Sequence, residues 1–138
     1  MQKALEIAGH SGNDIPVGAV IVKNNEIIAF GVNEREKSQN TVNHAEMLAI
    51  QRANKKLNNW RLSDCEIYVT LEPCSMCASA IVQARIKCVY FGAYDYINGA
   101  MGSKTDMCKI TNIPVNVKGG IMEEECTKLI KDYFEKIR

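Results

Sequence analysis

Short apolar runs alternate with segments of helical period along this chain, and that alternation restricts the fold more than any other feature of the sequence. Gly18 to Val22 and Ile27 to Val32 are two apolar runs, and Asn24-Asn25 between them has hairpin-turn composition. Ala45 to Lys56 places Ala45, Leu48, Ala49 and Ala53 along one stripe, the spacing of an amphipathic helix. Ile67 to Leu71 reads as a buried strand stopped by Pro73, Ser75 to Ala84 as a helix, and Lys87 to Gly92 as a further strand. A short helix within Met1 to His10, a short strand at Val115 to Val117 and a closing helix from Glu123 to Arg138 complete the order α-β-β-α-β-α-β-β-α. Strands separated by helices call for an α/β fold with a central sheet covered on both faces. The opening hairpin makes that sheet mixed rather than purely parallel.

The intervening segments are expected to be loops. Glu34 to Asn43 is polar and aperiodic, and most of Tyr94 to Asn112 is irregular, with Gly99 and Gly102 as punctuation. Trp60, just after a helix, is expected in the core. Leu129, Ile130, Tyr133, Phe134 and Ile137 recur at helical spacing and form a packing stripe.

The length of 138 residues suits one domain, residues 1–138, with a core that needs no covalent staples. Neither a charged n-region followed by an apolar h-region nor a membrane-length apolar run is present, so no secretory signal or membrane association is expected. A cytoplasmic, reducing setting follows for the six cysteines. Cys65, Cys88, Cys108 and Cys126, far apart in sequence, are read as small buried hydrophobes. The net charge of +1 gives no bulk electrostatic argument for nucleic acid.

Two segments carry chemistry. His44-Ala45-Glu46 opens a helix after a polar loop, and Pro73-Cys74-Ser75-Met76-Cys77 spans a strand-to-helix junction. Zinc takes imidazole nitrogen and thiolate sulfur in tetrahedral geometry, and catalytic zinc keeps one of four positions open. His44, Cys74 and Cys77 supply three ligands and leave that fourth position to water. A helix start lowers the pKa of a nearby thiol, which favours the thiolate that zinc needs. Positions i and i+2 of a helix do not share a face. Glu46 is therefore expected to reach the water as a proton shuttle rather than to join His44 on the metal. A structural zinc site would want a fourth protein ligand, and His10, the other histidine, is remote in sequence.

His-x-Glu at a helix start, followed by Pro-Cys-x-x-Cys after an apolar strand, is the pattern of zinc deaminases. Val69 to Ala78, read as Val-Thr-Leu-Glu-Pro-Cys-Ser-Met-Cys-Ala, resembles the second zinc motif of bacterial tRNA-specific adenosine deaminases. Pro16-Val17-Gly18-Ala19-Val20, Phe91-Gly92-Ala93 and Gly99-Ala100-Met101-Gly102-Ser103 extend the likeness over nearly the whole chain. The resemblance implies a cytidine deaminase-like fold, a three-layer α/β/α sandwich around a five-stranded mixed sheet. It implies one Zn²⁺ per chain, a homodimer, and conversion of the wobble adenosine in the anticodon stem-loop of an arginine tRNA to inosine. It also places Asn33, the backbone N–H of Ala45, and Asp95 against the target nucleotide. Tyr94 stands where many members carry arginine, and Asn40-Thr41 where Asp-Pro is frequent. The two zinc motifs alone leave open a deaminase of guanine, cytosine or a nucleotide. A non-catalytic zinc protein that binds RNA would have no need of Glu46.

Overall fold

The computed structural model describes Met1–Arg138. Its elements are α1 (Gln2–Ala8), β1 (Gly18–Lys23), β2 (Glu26–Val32), α2 (Arg35–Ser38), α3 (Ala45–Leu57), β3 (Cys65–Leu71), α4 (Ser75–Gln83), β4 (Cys88–Ala93), α5 (Met107–Thr111), β5 (Asn116–Lys118) and α6 (Glu123–Lys136). Five strands form one sheet in the order β2-β1-β3-β4-β5. β1 is antiparallel to both β2 and β3, whereas β3, β4 and β5 run parallel, so the sheet is mixed as the opening hairpin requires. Asn24 and Asn25 both adopt left-handed backbone, with φ of 51° and 63°. A type I′ turn needs this, and asparagine tolerates it better than most residues.

Side chains alternate across the strands and build two packed layers. Ala19, Ile21, Ile67, Val69, Val89 and Phe91 face α3 and α4, whose small residues Ala45, Ala49, Ala53 and Ala78 let the helices lie close. On the other face Val20 and Tyr68 meet Ala4 and Ile7 of α1, and α6 settles on β4 through the buried Cys126. Helices thus cover both faces, giving the expected three-layer α/β/α sandwich. No helix is long and apolar enough to cross a membrane.

The departures from expectation are local. A four-residue helix, α2, forms inside the segment read as loop, because the buried Asp14 accepts hydrogen bonds from the N–H groups of Glu36 and Lys37. A second short helix, α5, forms inside 94–112, capped by Asp106, which accepts from the N–H groups of Cys108 and Lys109. Trp60 is not core: it is 54% exposed. α3 ends at Asn58 in left-handed backbone, and Asn54 donates to the carbonyls of Asn59 and Trp60, which swings the indole outward. Arg61 then lies over the ring at 4.6 Å. The stripe on α6 is only partly packed. Ile130 rests against the core, but Phe134 and Ile137 are exposed. Of the four cysteines outside the motif, Cys65, Cys88 and Cys126 are buried and Cys108 is half-buried; all are free thiols.

Candidate metal centre and adjoining cavity

The order of strands brings the N-termini of α3 and α4 together at one end of the sheet. His44 precedes α3 in extended backbone (φ −75°, ψ 157°), and Cys74 precedes α4 in the same way (φ −72°, ψ 176°). Neither side chain caps its own helix, so both are free to turn toward each other. Gly31 of β2 makes the arrangement possible. A Cβ there would lie 2.3 Å from the carbonyl oxygen of Ala45, so a side chain would push the start of α3 away. Cys77, in the first turn of α4, is fully buried beneath the pair.

His44 Nδ1 lies 3.7 Å from Cys74 Sγ and 3.5 Å from Cys77 Sγ. All three ligand atoms fall within 4.8 Å of one another, and no fourth His, Cys, Asp or Glu joins the group. Zinc bonds of about 2.0–2.1 Å to nitrogen and about 2.3 Å to sulfur, held at the tetrahedral angle, require an N···S separation of about 3.6 Å. The measured separations bracket that value, so the donor set fits a zinc ion with one position left for a non-protein ligand. The local electrostatics suit a thiolate. The neighbouring Cys77 thiol and the His44 ring hold Cys74 down at about 4. Donation to Cys74 and burial push Cys77 upward, and the same partner raises His44.

Glu46 lies outside the ligand group and is 4% exposed. Burial pushes its carboxyl up to about 7, within the range where a group both takes and returns a proton near neutral pH. With His44 and Cys74 it lines a cavity of about 450 Å³. Asn33, Ala45 and Asp95 line the same cavity, so every site residue read from the sequence converges here, with Cys77 just below the floor. Ala45 is the first residue of α3, and its N–H has no acceptor within the helix. Asn33 is held in place at both ends of its amide. Its Nδ2 donates to the Ile15 carbonyl and its Oδ1 accepts from the Arg35 N–H, leaving one N–H and one lone pair for other partners.

Sequence reasoning missed the residue that builds the wall. Glu72 is 2% exposed, and its carboxylate accepts from the N–H groups of Asp95, Met101 and Ser103 and from the Ser103 hydroxyl. Gly99 lets the loop come this close, since a Cβ there would sit 2.5 Å from the Glu72 carboxyl carbon. The same loop bridges to the zinc motif, with Ala100 N–H donating to the Pro73 carbonyl at 2.8 Å. A charged residue directly before Pro73, where an apolar strand ends, was the available signal. Tyr133, part of the packing stripe and also weighed as a contact at the rim, lines the cavity and donates to the Asn13 carbonyl. Glu72→Ala should leave one buried and two part-buried N–H groups without an acceptor. At about 1–3 kcal/mol per orphaned donor, unfolding in denaturant should shift by roughly 3 kcal/mol or more, with Glu72→Gln losing less. An unchanged midpoint in Glu72→Ala would remove its scaffolding role.

A family model described as the cytidine and deoxycytidylate deaminase zinc-binding region matches residues 1–93. A tRNA-specific adenosine deaminase of Bacillus subtilis is 43% identical, over 91% of this chain and 79% of the relative. Among solved structures, one from studies of A-to-I editing by tRNA:A34 deaminases at the wobble position superimposes with a TM-score of 0.86 at 34% identity, covering 94% of this chain and 96% of that one. A guanine deaminase of Bacillus subtilis is 37% identical with a lower TM-score of 0.66, covering 80% of this chain and 71% of that one.

Proposed function

Because the chain belongs to the zinc-binding cytidine and deoxycytidylate deaminase family, and within it to the tRNA-specific adenosine deaminases, we propose that it converts the wobble adenosine of an arginine tRNA anticodon to inosine. One observation carries the chemistry: a group of three zinc-type donors and a buried carboxylate adjoin one cavity, which His44, Cys74 and Glu46 line. The proposed ligands are His44, Cys74 and Cys77. When bound, zinc supplies a Lewis acid that makes water a nucleophile near neutral pH. Glu46 takes a proton from that water and delivers it to the ring nitrogen beside the reacting carbon. It would then take the second proton from the hydroxyl now on that carbon and pass it to the amine, which leaves as ammonia while the oxygen stays on the base as a carbonyl. The Ala45 N–H and Asn33 hold the base edge, and Asp95 holds the nucleotide at the cavity wall. Glu46 is itself buried, which limits the exchange of its proton with bulk water.

The preference for RNA over a free base rests on the extent and closeness of the tRNA-type likeness compared with the guanine deaminase. The reading includes one catalytic domain over residues 1–138, a homodimer and a cytoplasmic setting. A dimer would widen the surface offered to a stem-loop.

The test is an inosine assay on an arginine anticodon stem-loop with adenosine at the wobble position, run beside free adenosine, cytosine and guanine. The stem-loop should turn over efficiently and free adenosine very poorly, and added salt should weaken RNA binding through lost phosphate contacts. Asn33→Ala should impair RNA turnover with zinc retained. Rapid turnover of guanine with an untouched stem-loop would leave the chemistry standing and overturn the substrate.

A further inference from the structure

Beside the cavity the chain exposes aromatic surface that the reaction itself does not use. β4 ends at Ala93, and the loop that follows carries Tyr94 and Tyr96 on either side of the cavity-lining Asp95. Phe91, 2% exposed, is the anchor: Tyr94 meets it edge-on, with centroids 5.1 Å apart and rings at 87°. Tyr96 lies nearly parallel to Tyr94, at 6.1 Å and 14°. It is 76% exposed, so the stack ends in open solvent.

The turn that presents Tyr96 is rigid. Asp95 Oδ1 accepts from the N–H groups of Ile97 and Asn98, Gly99 N–H donates back to the Asp95 carbonyl at 2.8 Å, and Glu72 holds the Asp95 N–H. An aromatic ring held out on a braced turn, 76% exposed, contributes little to the fold beyond its stack on Tyr94. It is pre-organised to receive another planar group, because the ordering cost has already been met within the protein. Asp95 and Asn98, which flank Tyr96 in the same turn, line the cavity, so the turn that carries the ring borders the cavity although the ring itself does not line it.

We infer that Tyr96, backed by Tyr94, is a stacking platform for the unpaired nucleobase adjacent to the target in the RNA strand. The inference rests on the substrate reading above. A base seated in the cavity has been drawn out of its stack, and its neighbour in a single-stranded loop is left with an uncovered face. Aromatic side chains take up such faces with little dependence on base identity. The platform therefore fixes the strand at the cavity mouth through shape and stacking, and adds no basic charge.

The experiment combines Tyr96→Ala, Tyr96→Phe and Tyr96→Trp with stem-loops lacking the base on one or the other side of the target. Alanine substitution at a stacking position costs on the order of 10-fold in affinity. Tyr96→Ala should therefore raise KM and the anisotropy-measured Kd by about that factor, with the loss falling on KM rather than kcat. Zinc content and melting temperature should be unmoved, since the side chain is mostly in solvent. Tyr96→Phe and Tyr96→Trp should restore binding. Removing one of the two neighbouring bases should cost the wild type a similar factor and cost Tyr96→Ala nothing further. Unchanged binding in Tyr96→Ala, or losses that multiply in both abasic RNAs, would overturn the platform. So would a shift in oligomeric state as the sole effect of the variant, which would assign the ring to a second copy of the chain. In those cases the wild type still deaminates the intact stem-loop. If it deaminates no RNA at all, the substrate reading falls and the platform falls with it.

Discussion

Glu46→Gln should retain zinc and fold while losing a factor of about 10² to 10⁴ in kcat. Glutamine keeps the size of the side chain and one carbonyl acceptor, replaces the other oxygen with an NH2 donor, and neither takes nor returns a proton. The position is 4% exposed, and burial already disfavours the charged form of the carboxylate. Replacing it with a neutral amide therefore removes a desolvation cost, and melting temperature should stay level or rise. Lost rate with gained stability separates a functional carboxylate from a structural one, since removing a structural acid lowers both. The rate loss corresponds to about 3–5 kcal/mol of transition-state stabilisation. That exceeds what one neutral hydrogen bond contributes, because a single group serves more than one proton transfer. Metal analysis, thermal melting and single-turnover kinetics on the same preparation check the three arms. Turnover near wild type would end the proposed proton route.

Why the candidate donor group was more legible in the sequence than its surroundings follows from how each is built. The donors sit at the ends of elements with strong local signals. The stripe Ala45, Leu48, Ala49, Ala53 fixes the start of α3 at His44, and Pro73 after an apolar strand fixes the start of α4 at Cys74. Residue type then names the metal. The mixed sheet was equally legible, because Asn24-Asn25 joins β1 to β2 and helices separate the later strands. What escaped depends on partners distant in sequence. α2 and α5 are too short to show a period, and α2 exists because Asp14 reaches across 22 residues to its first turn. Glu72 acts on residues 23 to 31 positions further along, which no window of local composition reveals. Trp60 fails for a related reason. Hydrophobicity favours its burial, but the asparagine-rich turn after α3 turns the chain outward, and two guanidiniums at 4.6 Å and 6.0 Å from the ring cover it instead.

The same division between local signal and distant partner sharpens the test of the metal. Cys77→Ser should abolish zinc binding, from about one ion per chain to essentially none, and activity with it. A buried serine hydroxyl does not ionise near neutral pH, so it cannot replace the thiolate. Two donors, His44 and Cys74, would remain, at 3.7 Å from each other, and two donors do not close a tetrahedral site. The fold should suffer as well. A ligand bound only by the native state contributes about 3–4 kcal/mol when its free concentration is 100 to 1,000 times Kd. The variant should therefore unfold near the midpoint of chelator-treated wild type, and added zinc should restore the wild type alone. Cys65→Ser supplies the control: Cys65 is equally buried, at the start of β3 and outside the donor group. It should lose some packing and keep its zinc. If Cys77→Ser retained a full complement of metal, the ion would be held elsewhere, and Glu46 would lose the neighbour that gives its proton a purpose.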